Sequence, residues 1–340
     1  MKVLITGGAG FVGQRLAAAL LELPAIVVGG AAAEPIDQIT CFDRTCGNLS
    51  DPRLTYVTGD ITDPAVFETL VSPDTSLIFH LAAIVSGSAE ADFDLGMKVN
   101  LRGTQLLLAA CRQAGHCPQL VFSSSIAVFG GDLPPVITDE TTPMPQGSYG
   151  VQKLICEQLI QDYSRKGFIR GCSLRLPGVL VRPGEPNGAA SGFSSAIIRE
   201  PLANRPMVLP VPQTTPMWAA SPKTVSANLI HAASLSQQAW QANRSLNLPG
   251  HVVTMTEALQ VLEALGGESL RALVSLQPDP DVMALVDTWA ARFETPRAFA
   301  LGFHPDDGFA AMVAAYIRDN PGAIKAEIDP GRLDQGSLSS

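Results

Sequence analysis

The chain has 340 residues, 46% hydrophobic and only 16% charged, with a net charge of −9. That is ample for a large buried core and excludes a disordered chain, while the acidic balance, without a basic stripe, disfavours a nucleic-acid partner. No apolar run approaches the roughly 20 residues that span a bilayer, and six cysteines without a C-x-x-C pair and five scattered histidines give no metal-ligand spacing; the composition reads as a cytoplasmic protein with reduced thiols, no metal and no membrane contact.

The apolar start is interrupted by glycines and followed by no cleavage pattern, so it is not read as a signal peptide. Val3-Leu4-Ile5-Thr6 is instead a short strand that runs into Gly7, Gly10 and Gly13 and then into an Ala/Leu-rich helix over about 13–22. Strand, glycine turn and helix together let the backbone approach a pyrophosphate at a helix N-terminus, although the spacing is G-x-x-G-x-x-G rather than G-x-G-x-x-G. A long connection through Pro24 and residues 29–34 precedes a strand over 39–43. A carboxylate ending that strand can accept from both ribose hydroxyls and repel a 2′-phosphate, so Asp43 favours NAD over NADP. A turn-starting acid fits the same position, and Arg44 beside it is suited to a 2′-phosphate.

Residues 54–61 are a third strand and its exit, Asp63-Pro64 opens a helix through Leu70, and 76–83 is a buried strand ending in small residues against which a cofactor can lie close. His80 reads as a packed strand-end histidine. The loop over 84–88 follows at a strand C-terminus, where α/β sheets bind ligands; Ser86 is there either a substrate contact or a solvated loop serine. A helix runs through Asn100 to Cys111, and 119–125 is a buried strand ending in Ser123-Ser124-Ser125. Tyr149 and Lys153, four apart, share one face of a helix reaching about Arg165. A phenol, with an unperturbed pKa of about 10, is a poor base at neutral pH; a cation held close lowers that value. Lys153 can supply the cation, and a serine hydroxyl can hold the substrate oxygen that Tyr149 deprotonates. Taken alone, the pair reads more readily as part of the surface of an amphipathic helix. Residues 172–179 are a sixth strand, and Arg182 beyond it suits a bidentate grip on a carboxylate or is a structural surface arginine. Prolines and glycines up to Pro222 imply irregular segments; helices follow over 224–234, 256–265 and 283–291, and a strand over 245–248 returns to the sheet. Trp218, Trp240 and Trp289 read as packing residues.

Gly7-Gly8-Ala9-Gly10-Phe11-Val12-Gly13, Gly59-Asp60-Ile61, His80-Leu81-Ala82-Ala83, Asn100, Ser123-Ser124-Ser125 with Val128-Phe129-Gly130, and Tyr149 with Lys153 occur in an order that resembles the extended short-chain dehydrogenase/reductases, the group containing nucleotide-sugar epimerases and dehydratases. The resemblance spans roughly the first half of the chain. It implies an α/β fold, a Rossmann doubly wound parallel sheet with a smaller C-terminal α/β substrate lobe. The dinucleotide-binding domain is expected over 1–180 plus about 222–250, the substrate lobe over about 181–221 plus 251–330, and a tail over 331–340. It further implies NAD bound by Gly7, Gly10, Phe11, Val12 and Gly13, by Asp43, Asp60 and Ile61 around the adenosine, by Leu81, Ala82 and Ala83, by Asn100 as a backbone brace, and by Ser123, Tyr149, Lys153, Pro177 and Val179. Ser125, Tyr149 and Lys153 are the implied catalytic set, with Ser86, Ser125, Tyr149 and Arg182 on the substrate.

Two departures from the family pattern matter. Phe129 replaces a tyrosine, at a place expected to be remote from the chemistry. Gly178 stands where epimerases and dehydratases carry an asparagine that contacts the diphosphate of a nucleotide-sugar. With the 177–183 and 191–193 runs, which are similar to those of sugar-acid dehydrogenases, Gly178 favours NAD-dependent oxidation of a D-erythronate-like 2-hydroxy acid to the 2-oxo acid. The alternatives are a nucleotide-sugar epimerase or dehydratase with tightly held NAD, and a non-catalytic dinucleotide sensor, against which the complete Ser/Tyr/Lys set counts. The resemblance also suggests a homodimer through two helices per subunit, one of them the Tyr149 helix.

Overall fold

Seven strands form one all-parallel sheet, and their burial explains why. Val3, Leu4 and Ile5, then Leu77, Ile78 and Phe79, then Leu120, Val121 and Phe122 are continuous buried apolar runs, the pattern of strands covered on both faces by helices. The computed structural model describes residues 1–184 and 191–333; most of the expected tail, 334–340, and residues 185–190 of the expected substrate lobe lie outside the described residues.

In chain order the first half comprises β1 (Lys2–Thr6), α1 (Phe11–Glu22), β2 (Gln38–Asp43), β3 (Leu54–Thr58), α2 (Pro64–Leu70), β4 (Thr75–His80), α3 (Ser86–Ala91), α4 (Phe93–Gly96), a π-helix (Met97–Arg102), α5 (Gly103–Ala114) and β5 (Gln119–Ser125). Next come α6 (Ser148–Arg165), β6 (Arg170–Leu176), β7 (Gly178–Val179), α7 (Gly192–Leu202), β8 (Met207–Leu209), β9 (Pro216–Ala220), α8 (Pro222–Ser234) and α9 (Gln237–Trp240). The remainder is β10 (Ser245–Asn247), β11 (His251–Thr254), α10 (Met255–Arg271), β12 (Val274–Leu276), α11 (Pro280–Val286), α12 (Pro296–Ala300) and α13 (Phe309–Asp319).

The sheet order is β10-β6-β5-β4-β1-β2-β3, so the chain reverses direction across the sheet between β1 and β4, and the crevice above their C-terminal ends is the ligand position of a doubly wound sheet. One core packs α1 and α8 against one face through Leu16, Leu20, Val225 and Leu229. The other face is covered through Leu107, Cys111, Cys156 and Ile160 of α5 and α6. A separate core joins α7, α10 and α13 through Ile197, Leu262 and Val313. The strand expected at 245–248 is β10, pairing parallel to β6 with Ser245 opposite Ser173. Among the described residues no helix is long and apolar enough to cross a membrane, and all six cysteines are free thiols.

Several expected elements differ. The strand expected over 172–179 stops at Leu176: Pro177 has no N–H to continue the ladder, and Gly178–Val179 pairs instead with β9 in another sheet. The expected loop over 84–88 becomes helix from Ser86 onward. The helix through Asn100 opens as a π-helix before turning α-helical at Gly103, a form concentrated at functional sites. The stretch expected to be irregular up to Pro222 holds α7, whose Phe193, Ile197, Ile198 and Leu202 are buried on one face; Pro201, in its last turn, masked that periodicity. The helix expected over 283–291 is displaced to Pro280–Val286, because Asp279 caps it and a proline fits its first turn. The helix expected to end at Leu265 continues to Arg271 through a break at Gly267, whose φ is 69°.

Candidate active site

β1 delivers the chain into a turn that only glycine accommodates. Gly7 has φ 73°, and the amides of Gly7 and Gly8 donate to the Phe42 carbonyl at 2.8 and 3.1 Å. A Cβ on Gly13 would stand 2.1 Å from the Gly7 carbonyl oxygen, so the turn can lie on the start of α1 only if position 13 is bare. No side chain caps α1, which leaves the N–H groups of its first turn for an anion. Asp43, at the end of β2, accepts from Ala9 N at 3.0 Å and from Arg44 N at 2.7 Å and is thereby fixed beside the turn. Asp60 accepts from both the amide and the hydroxyl of Thr62, which hold its carboxyl below the usual range. Gly7, Gly10, Asp43, Asp60, Ile61, Leu81, Ala82 and Ala83 line one cavity of about 440 Å³, with Arg44 and Lys98 at its wall.

A second cavity, of about 330 Å³, adjoins the first through Leu81 and Ala83, which line both. Val12, Ser86, Ser123, Ser125, Tyr149, Lys153, Pro177, Val179 and Arg182 all face it. Three of the sequence-derived cofactor residues, Phe11, Gly13 and Asn100, line neither. Asn100 is buried in the π-helix, where its Oδ1 accepts from Ile84 N at 2.7 Å and its Nδ2 donates to Gln152 Oε1 at 2.7 Å; it ties the chain after β4 to α6.

Tyr149 is the second residue of α6 and Lys153 follows one turn on. Lys153 Nζ donates to the Ser123 carbonyl at 2.7 Å and lies 5.5 Å from the centre of the Tyr149 ring. Ser125 Oγ accepts from Ala127 N at 3.1 Å, capping the turn after β5. The expectation that the ammonium lowers the phenol's pKa is not met. Tyr149 keeps some accessible surface, but that surface faces a recessed cavity, and burial pushes the phenol up to about 12 against the pull of a hydrogen bond with Ser125. Burial also brings Lys153 down to about 8, opposed by Cys156 and Glu157. Desolvation is the largest cause of both shifts, raising the phenol and lowering the ammonium.

His80 is the packed strand-end residue expected: its ring nitrogens meet Thr6 Oγ1 at 2.6 Å and Thr104 Oγ1 at 2.8 Å, and burial takes its pKa down to about 3, so it is neutral. Arg182 faces the second cavity, with its amide donating to Ser195 Oγ at 3.0 Å and its carbonyl accepting from Arg199 at 3.1 Å. Ser86 faces the same cavity from the start of α3.

Sequence reasoning missed much of the apolar wall. Phe129, expected to be remote, lines the second cavity and meets Phe293 edge-on at 5.8 Å. Trp218 and Trp289, read as packing residues, line it as well, with Met217, Ala290 and Ser191. The segment carrying Trp289 is held over the cavity by Ile137, whose backbone bonds to Arg292 and Glu294. Nothing in the local sequence signals that long-range pairing. Gly178 packs under Trp218, where an added Cβ would stand 3.2 Å from the Trp218 carbonyl.

Residues 3–217 match the model of the NAD dependent epimerase/dehydratase family. The chain is 46% identical to the D-erythronate dehydrogenase of Cupriavidus necator, covering 94% of this chain and 98% of that one. It is 41% identical to the D-erythronate dehydrogenase of Haemophilus influenzae, covering 93% and 99%. A solved structure described as a nucleoside-diphosphate-sugar epimerase from Agrobacterium tumefaciens superposes with a TM-score of 0.88 at 40% identity, covering 95% of each chain.

Proposed function

The chain belongs to the NAD dependent epimerase/dehydratase family, and from that premise we propose that it is an NAD-dependent dehydrogenase that oxidises a small sugar acid, D-erythronate or a close analogue, from the 2-hydroxy to the 2-oxo acid. The observation that carries this reading is the adjacency of the two cavities: the one lined by Tyr149, Lys153, Ser125 and Arg182 shares Leu81 and Ala83 with the one beside the glycine turn. The uncapped start of α1, the bare positions 7 and 13 and the carboxylate of Asp43 fit a dinucleotide without a 2′-phosphate. When bound, NAD supplies the hydride acceptor and a positive charge that favours the phenolate.

The chain's own residues do the proton chemistry. Tyr149 Oη takes the proton of the substrate hydroxyl as general base. Ser125 donates to the same oxygen and fixes it, and Lys153, which holds the Ser123 carbonyl, shares the proton deficit with the phenol. Arg182 grips the carboxylate, and Phe129, Trp218 and Trp289 exclude water from the reacting end. Purified protein offered a series of four-carbon sugar acids with NAD or NADP should form NADH with D-erythronate and little NADPH; an inert series would refute the substrate class. The name of the Agrobacterium structure favours a second reading, nucleotide-sugar epimerisation, which predicts a UDP-induced rise in melting temperature and no net NADH.

Arg182→Met should raise KM for the acid by about 10- to 100-fold, the worth of a charge-assisted hydrogen bond, with kcat far less affected; an unchanged KM would remove Arg182 from the site. The active form is proposed to be a cytoplasmic homodimer. Val151 and Ile155 of α6 are exposed at helical spacing, and Phe93 of α4, an element that packs against α6, is 58% exposed, an apolar surface suited to a second copy. Sedimentation should give twice the 35.8 kDa chain mass, and Ile155→Glu should give the monomer.

A further inference from the structure

Behind the reactive end of β5 lies a buried charged pair that the chemistry above does not use. Glu157 stands one turn beyond Lys153 on α6, and its side chain is completely shielded from solvent. Arg175 of β6 donates to it through Nη2 at 2.8 Å and through Nε at 3.0 Å, a forked pairing. Glu157 Oε1 also accepts from the Ser124 hydroxyl. Arg175 Nη1 reaches Asn247 Oδ1 of β10 at 3.3 Å, and its guanidinium lies 5.0 Å from the centre of the Phe129 ring on the cavity wall. Lys153 and Glu157 therefore hold two successive residues of β5, the carbonyl of Ser123 and the hydroxyl of Ser124, immediately before Ser125. Removing two charges from water is costly, and an apolar pair of similar volume packs a helix onto a strand as well or better. Packing alone does not account for the charges.

We propose that Glu157 is a positioning residue for catalysis: braced by Arg175, it fixes the end of β5 on α6 so that Ser125, Tyr149 and Lys153 stay in register, and it balances the buried ammonium. The proposal rests on the reading of Ser125, Tyr149 and Lys153 as the catalytic set. The groups around Lys153 are Tyr149, Cys156 and Glu157 on its own helix, the Ser123 carbonyl on β5, neutral His80 on β4, and Arg175 on β6 beyond Glu157. Of these Glu157 is the carboxylate. A negative charge favours the protonated form of every nearby acid, so removing it lowers the pH at which the Tyr149/Lys153 pair loses each proton.

The test compares kcat/KM for D-erythronate across the neutral-to-alkaline range in the wild type, Glu157→Gln, Glu157→Asp and the charge-free pair Glu157→Leu/Arg175→Met, with melting temperature and NAD affinity measured alongside. Glu157→Gln should lose about tenfold or more in rate, and its whole pH profile should move about half a pH unit or more towards acid, with NAD affinity within about twofold of wild type. Glu157→Asp should lose rate but keep the wild-type profile. The charge-free pair, which leaves neither Glu157 nor Arg175 without its partner, should melt closer to the wild type than Glu157→Gln and still show the acid-shifted profile; it answers the question if Glu157→Gln does not fold. A uniform loss of rate with an unmoved profile, or no loss at all, would make the ion pair purely structural and overturn the proposal. A wild type that oxidises no sugar acid, or a Lys153→Met enzyme as active as the wild type, would instead overturn the functional reading, and this proposal with it.

Discussion

Tyr149→Phe turns D-erythronate over on the order of 10²- to 10⁴-fold more slowly than the wild type, the usual worth of a positioned acid–base group, while NAD binds unchanged. The substitution removes one oxygen and leaves the ring. The bond from Lys153 to the Ser123 carbonyl at 2.7 Å does not involve the phenol, and the glycine-turn cavity is lined without Tyr149, so the cofactor's contacts survive. The loss should fall on kcat and kcat/KM together, because the proton transfer exists only in the transition state. The pH dependence has a definite sign. Burial has moved the phenol up to about 12 and the ammonium down to about 8; the phenol can take the substrate's proton only after losing its own, so the wild-type rate rises as pH climbs. In Tyr149→Phe the group that uses the proton deficit is gone and the rising limb should vanish. Isothermal calorimetry with NAD and stopped-flow NADH formation read the two halves separately; a variant within tenfold of wild type would remove Tyr149 as the base.

The parts of this site that could be read from sequence are those carried by local backbone demands. Gly7 and Gly13 announce themselves because a tight turn pressed onto a helix start excludes any Cβ; Tyr149 and Lys153 share one helical face, but only the glycine turn and the family resemblance raise that pair above a surface one. The buried apolar run pointed to the three serines that end it, and register with the family pattern singled out Ser125. The substrate side was not, since its walls come from segments joined only through space. Trp289 reaches the cavity because Ile137 pairs with Phe293, far along the chain. Phe129 was set aside by motif comparison, yet it touches the cavity, Phe293 and Arg175 at once. The charge balance of the Tyr149/Lys153 pair was likewise hidden, since spacing predicts attraction between the two groups and says nothing of the desolvation that here exceeds it.

Gly150→Ala is the other substitution with a large expected effect, although it adds one methyl group beside the reactive tyrosine and removes nothing. A Cβ there would lie 2.1 Å from the Ala127 carbonyl oxygen, 2.9 Å from its carbon and 2.8 Å from Pro145 Cβ. Two of those three atoms are backbone, so no rotamer change relieves the contact. The start of α6 must retreat from the turn that Ser125 caps, carrying Tyr149 away from Ser125. Overpacking of this kind costs about 1–3 kcal/mol, visible as a lowered melting temperature. A displacement near 1 Å at the reacting groups costs about 10²-fold in rate, so activity should fall much further than stability. Gly322→Ala is the control: an added Cβ there meets nothing within 4 Å, and both rate and melting temperature should stay at wild type. If Gly150→Ala kept full kcat with D-erythronate, α6 would have enough slack to take up the methyl group, and the close approach of Tyr149 to Ser125 would not depend on a bare position 150.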